Sequence, residues 1–316
     1  MIPAVDIKNI TTEKHELTIL KTLAYFDIFD YPLNEKEIKN FLTVEINDSA
    51  FRLAIQRLIS GGVIYKLGEF YSLKNNRQMV EKRLQGNLRA QKLVPKAIKI
   101  GSFLYKFPYV RAIGISGSLS KNYADEKADI DFFVITKANR LWITRTILHL
   151  FKKLTFLFGK QHFYCMNYFI DEQALMIEEK NIYTATEIVT LLPVSGSEVM
   201  NLFFATNNWV KEWFPFHVPV RHLNIPDKSS MFKKVAEWLF DARIGGWVDD
   251  LLFKWTTQRW RNKEKRGQKN AKGRVMNLVT CKHFSKSNPE EFQERIIGLY
   301  ETGVNRFKNQ WPQYLD

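Results

Sequence analysis

The stretch from Val110 to Lys137, VRAIGISGSLSKNYADEKADIDFFVITK, decides how the rest of the chain is read. It reads as a strand, a tight turn, a short helix and a second strand. Val110 to Ser116 is a short apolar run ending at Gly117-Ser118. Ile130 to Thr136 is apolar and β-branched or aromatic, as a buried strand requires. Asp129 and Asp131 stand at the start of that second strand. Side chains alternate along a strand, so both carboxylates are expected on one face, roughly 7 Å apart at the backbone. A small-residue turn lets backbone N–H groups approach phosphate oxygens, and the helix it opens favours negative charge. Carboxylates beside it can hold divalent metals that neutralise the same phosphates. The stretch therefore points to a metal–phosphate site.

Gly117-Ser118, a spacer of ten residues, then Asp129-Ile130-Asp131 resembles the signature of the polymerase-beta-like nucleotidyltransferase superfamily, in particular its minimal nucleotidyltransferase branch. Lys121 stands where that branch usually carries Arg or Lys. Asn122 replaces a usual Gly, and Asn tolerates the left-handed conformation. Ala128 replaces a frequent Ser. The resemblance implies transfer of a nucleoside monophosphate from an NTP to an acceptor, with Mg2+ or Mn2+ as cofactor. Gly117, Ser118 and Lys121 would bind the nucleotide, and Asp129 and Asp131 would be the catalytic, metal-binding pair. A third carboxylate often sits on the neighbouring strand. Here that slot in HFYCMNYFID is matched by Asn167, an amide that coordinates metal weakly and cannot act as a carboxylate base. Asp171 lies roughly 14 Å further along that strand. Glu172 or Glu187 is the alternative acid, and a nucleotide-binding site without turnover is the alternative outcome. GISGS also approaches a Gly-x-Ser-x-Gly nucleophile elbow, but Ser118 occupies the final Gly position.

The chain has 316 residues, enough for two or three domains, and a globular composition with 45% hydrophobic and 25% charged residues. Its net charge of +14 favours anionic partners: nucleic acid, nucleotide or an acidic membrane surface. Cys165 and Cys281 are the only cysteines, with no Cys-x-x-Cys, which argues against zinc and for reduced thiols in a cytoplasmic protein. The most apolar helix, near Leu141 to Phe158, carries Arg145, His149, Lys152 and Lys153 and is too broken to span a bilayer. The N-terminus has no signal pattern.

Three parts are expected. Residues 1–75 contain three helical patterns and a short hairpin and resemble a winged helix. Asn34 and Glu37 form a capping box, Asp48 caps the third helix, and Gly61-Gly62 ends it. Arg52, Gln56 and Arg57 on the third helix are candidates for duplex contact, with a protein-contact module as the plainer alternative. Residues 76–200 hold a linker helix, kinked or divided at Pro95, and the nucleotidyltransferase-type domain. Its mixed sheet gives the fold class as α/β or α+β. Tyr183 and Glu187 share a helix face and are expected to be structural.

Residues 201–316 are expected to be an α-helical domain, with a break at Gly245-Gly246 and a final helix opening at Asn288-Pro289-Glu290-Glu291. Lys254 to Arg274 holds nine basic residues against one Glu, with Trp255 and Trp260 interleaved. The expectation is a core-facing Trp stripe on a helix with a solvated polar face. The alternative is RNA contact, since the acceptor is open among protein, RNA and small molecule. His283 is expected to be structural.

Overall fold

The computed structural model describes residues 7–126, 128–159, 161–218, 230–240, 243–269, 275, 278–287 and 291–310. The N-terminal part comprises α1 (Ile7–Asp27), β1 (Leu33–Asn34), α2 (Glu35–Asn40), α3 (Asp48–Ser60), β2 (Tyr65–Leu67) and β3 (Phe70–Ser72). Its strands form a small antiparallel sheet in the order β1-β3-β2. The capping box on α2 is present: Glu37 N–H donates to Asn34 Oδ1 at 2.9 Å, and Asn34 N–H to Glu37 Oε2 at 3.0 Å. On α3 the cap is Asn47 rather than Asp48. Asn47 is extended and accepts from Ala50 N–H at 2.9 Å, while Asp48 is already helical and pairs with Lys39 at 2.7 Å. Arg52, Gln56 and Arg57 are exposed on α3, with Arg57 3.7 Å from Glu16.

A long helix, α4 (Arg77–Leu104), follows and continues through Pro95 as one element. Packing at both ends outweighs the lost proline N–H. Near its start Arg83 is buried against the N-terminal part, and near its end Gly101 and Leu104 are buried on the sheet. Then come β4 (Val110–Ser116), α5 (Gly117–Ser120), β5 (Asp131–Thr136), α6 (Leu141–Thr155), β6 (Cys165–Asp171), α7 (Ile182–Val189), β7 (Leu192–Ser195) and α8 (Ser197–Thr206). The last elements are α9 (Met231–Phe240), α10 (Arg243–Lys265), β8 (Leu278–Thr280), β9 (Phe284–Ser287) and α11 (Phe292–Gln310).

Six strands form the main sheet in the order β7-β4-β5-β6-β9-β8. Only β5 and β6 run parallel among its described pairs. The chain is thus mixed α/β. The C-terminal part is not purely helical, as expected from sequence, because β8 and β9 extend the central sheet and cover what would otherwise be the open edge of β6. LVT and FSKS are too short and too mixed in polarity to show a strand period.

Alternation on β5 sends Phe132 and Val134 to one core, with Trp142 of α6, and Phe133 and Ile135 to the other. The second core also contains α1, α7 and α8 side chains, so the N-terminal helices pack on the sheet's side of the molecule rather than apart from it.

Two other C-terminal expectations change. Gly245 and Gly246 lie inside α10 instead of breaking it, since each Gly costs a helix only about 1 kcal/mol against Ala. The expected tryptophan stripe is not uniformly core-facing: Trp255 is exposed and Trp260 half-buried, while Asp249 and Thr256 of the same helix are buried. The buried face of α10 is used to cap α6, since Asp249 Oδ1 accepts from Ile143 N–H at 2.9 Å. Asn288, Pro289 and Glu290, the expected opening of the last helix, lie outside the described residues, as do residues 219–229 of the proline-rich connector and 270–274 of the basic stretch. Among the described residues no helix is long and apolar enough to cross a membrane.

Candidate functional site

The turn after β4 is built around Gly117, whose φ of +69° suits a residue without a β-carbon. A methyl group there would lie 2.7 Å from Asp131 Oδ2, so glycine also lets the opening residue of β5 close over the turn. The two strands are antiparallel and pair Ser116 with Asp131, which brings the Gly-Ser turn and the second aspartate together. Asn122 has φ +56°, the left-handed conformation expected of it. The α5 helix is a single turn, so its dipole is small, and individual N–H groups matter more than helix length.

Gly117, Ser118, Lys121 and Asp131 line one cavity of about 390 Å3. A second, of about 200 Å3, shares Gly117 and Asp131 with it and adds Asn167. Asp129 does not line either of them. It lies before β5 begins, and its Oδ1 is 3.2 Å from His162 Nδ1. The expected pair of carboxylates is therefore divided, with Asp131 on the cavity wall and Asp129 beside His162.

Asn167 is next to Asp131: its Nδ2 donates to Asp131 Oδ1 at 2.6 Å. The parallel β5–β6 ladder shifts register between Phe132 and Phe133, and Asn167 is the unpaired residue. Such a bulge re-aims a side chain, here toward the aspartate. Asp171 and Glu172 serve the other end of the strand. Fully buried Asp171 accepts from Asn139 N–H at 2.9 Å and lies 2.9 Å from His283 Nδ1, and Glu172 accepts from Ala138 N–H at 3.2 Å. Both hold the turn between β5 and α6.

Glu187 on α7 enters the site directly. Its Oε1 is 2.7 Å from Lys121 Nζ, and its Oε2 accepts from Gly117 N–H at 3.4 Å. It lines both cavities, as does Tyr183. The expected structural role for this pair thus becomes a place in the cavity wall. Burial pushes the Tyr183 hydroxyl well above its ordinary range, and the charges of Glu187 and Asp131 add to the effect. Tyr25 rises for the same first reason, burial, with Glu187 adding to it.

The remaining wall comes from far along the chain. Tyr25 and Phe26 of α1, then Phe29, Tyr31, Tyr123 and Phe292, enclose the first cavity. Tyr31 donates its hydroxyl to the Lys121 carbonyl at 2.8 Å. Its ring is covered by the Arg83 guanidinium at 3.9 Å, which also pairs with Glu37 at 2.5 Å and donates to the Pro32 carbonyl. Tyr123 packs where Gly86 of α4 leaves room, for a methyl group on Gly86 would fall 2.2 Å from the ring. None of these residues carries a local sequence signal; their convergence depends on how distant elements pack.

Cys165 Sγ lies 3.3 Å from Asn167 Oδ1. Burial, then the charge of Asp131, pushes its thiol up to about 11, so it stays protonated at neutral pH. It is neither a thiolate nucleophile nor a soft metal ligand in that form. Among the described residues no group of three or more His, Cys, Asp or Glu is gathered around a common metal position. The donor chemistry at Asp131, with Asp129 nearby in sequence, consists of hard oxygens. Oxygens of this kind could hold magnesium or manganese, which needs only one or two carboxylates where other oxygens complete the shell. Comparison with known proteins found no matching family model, no matching curated protein and no matching solved structure.

Proposed function

We propose that the chain is a nucleotidyltransferase, moving a nucleoside monophosphate from an NTP to an acceptor with magnesium or manganese. The observation that carries this reading is the meeting of Gly117, Ser118, Lys121 and Asp131 on one cavity wall. The Gly117-Ser118 backbone receives triphosphate oxygens, and Lys121 supplies a cation. Its present counter-ion, Glu187, gives way to a phosphate oxygen, so one anion replaces another on the same donors. Asp131 would hold the metal from the cavity wall, with Asp129, beside His162 in this structure, as the second carboxylate, and the metal would supply charge neutralisation for the phosphates.

In the reaction an acceptor oxygen forms a bond to the α-phosphorus as the bond to the pyrophosphate oxygen breaks. The acceptor proton needs a base, and the Asn167 amide cannot take it. Glu187, which lines the same cavity and would be released from Lys121 by the donor, is assigned that role in this reading. The aromatic wall of Tyr31, Tyr123 and Phe29 supplies stacking area and excludes water around the reacting groups.

The test uses each NTP labelled at the α-phosphate, with magnesium, and candidate protein, RNA and small-molecule acceptors. Label should pass to one acceptor class, and Asp131→Asn should lower the rate by about 100-fold or more. Equal transfer by wild type and Asp131→Asn overturns the assignment. Asn167 favours a second reading, a nucleotide-binding regulator without turnover that uses exposed Arg52, Gln56 and Arg57 on duplex DNA. It requires salt-sensitive, sequence-selective binding that Arg52→Ala removes.

A further inference from the structure

We infer that α9 and α10 form a docking face for an anionic membrane surface, on the other face of the main sheet from the nucleotide cavity. On α10, Ile244, Trp247, Leu251 and Trp255 recur at helical spacing and are all at least half exposed. On α9, Val235 and Trp238 are likewise exposed, Trp238 to 78%. Three tryptophans, each with roughly 150–250 Å2 of surface, make an exposed apolar area of the size that marks an interaction face.

Both helices are fixed to the body of the protein, so the exposure is not that of detached segments. Glu237 of α9 binds Arg111 through two contacts of 2.9 Å and accepts from Tyr109 N–H at 2.7 Å. Lys233 donates to the Val110 carbonyl at 2.6 Å. Asp249 of α10 caps α6. These anchors sit at the Val110 end of β4, whereas the nucleotide turn follows Ser116, roughly 20 Å away along the strand. A surface bound at this face leaves the cavity open.

Charge selects the occupant. Beyond Trp255 the same helix exposes Arg259, Arg261 and Lys265, with Arg266 just past its end, against a single exposed acid, Glu264. Lys254 lies between Leu251 and Trp255. Tryptophan and aliphatic side chains on one stretch with Lys and Arg beside them match the boundary between acyl chains and anionic headgroups, where long basic side chains reach the phosphates. A second copy of this chain would bring like charges together around the same stripe. Nucleic acid would leave Ile244, Leu251 and Val235 without a phosphate or a stacking base to contact.

The experiment is flotation of the full chain with vesicles of phosphatidylcholine and phosphatidylglycerol at roughly 7:3, against pure phosphatidylcholine. Binding is expected to the anionic vesicles only, and to fall as salt is raised from about 50 to about 500 mM. Trp247→Ser/Trp255→Ser should weaken it at least about tenfold, and Lys254→Glu/Arg259→Glu should do the same. All four positions are exposed, and thermal unfolding checks that both variants fold. Failure of the folded wild type to float, or unchanged flotation of both variants, overturns the inference. So does a stable dimer in sedimentation velocity that the tryptophan variant disperses, or retention on single-stranded RNA in preference to anionic vesicles.

Discussion

At Gly117 two requirements coincide: a φ of +69° and an Asp131 carboxylate that leaves no space for a β-carbon. Gly117→Ala should therefore lower stability by about 1–3 kcal/mol and weaken nucleotide binding by more than about tenfold. Gly62 separates the two effects. It has the same φ of +69°, with nothing within 4 Å of an added methyl group. Gly62→Ala should show the backbone strain in denaturant unfolding and leave nucleotide binding intact. Equal nucleotide affinity in Gly117→Ala and wild type would contradict the placing of Asp131 at the site. At this scale the sequence was informative where chemistry is local. Gly117, Ser118, Lys121 and Asp131 fall within one short stretch, and the strands on either side bring them together. The place of Asn167 beside Asp131 was also legible, from its position in the neighbouring strand. His162 beside Asp129 was not, because a histidine just before a strand carries no spacing that names a partner.

Among the elements, α4 links the small N-terminal sheet to the main sheet. Arg83 is the joint: it is buried, stacked between Tyr31 and Phe70, and paired with Glu37. Arg83→Met keeps the stem and removes the charge. It leaves Glu37 without this partner and the Pro32 carbonyl without this donor, and should cost about 2–4 kcal/mol in urea unfolding. A loss below about 0.5 kcal/mol would mean that the pair is only a surface contact. The pattern of apolar residues identified most of the helices, and the Asn34 cap identified where one of them begins. It did not identify β8 and β9, whose three and four residues are defined by pairing with a distant strand rather than by their own periodicity. It also misread α10, because a stripe of large apolar residues looks alike whether it faces a core or open surface.

Over the whole molecule, the cavity joins residues from Tyr25 to Phe292, so the site depends on packing between elements far apart in the chain. Acid should weaken that packing through two buried imidazoles. Burial, then Arg145, Lys152 and Lys153, holds His149 well below its ordinary value of 6.5. Burial lowers His217 to about 4. His149 Nε2 and His217 Nδ1 are buried without a hydrogen-bond partner. The unfolded chain takes up these protons near pH 6.5 and the folded chain only at lower pH, so stability is full above that value and falls as pH drops below it. The thermal midpoint should fall by about 3–6 °C between pH 7 and pH 5, and His149→Leu should reduce the fall. A midpoint that rises on acidification would contradict this. No local pattern announces these histidines, since their effect comes from the elements that bury them.

Isothermal titration calorimetry of each of the four NTPs with magnesium decides whether the cavity at Gly117 and Asp131 is the proposed donor site. Wild type and Asp129→Asn/Asp131→Asn are compared after unfolding curves establish that both are folded. Wild type should bind at least one NTP in roughly the micromolar range, dependent on magnesium, and the double variant should bind it about 100-fold or more weakly. Binding that is indifferent to magnesium and to both aspartates, or no binding of any NTP by folded wild type, would contradict the proposed donor site.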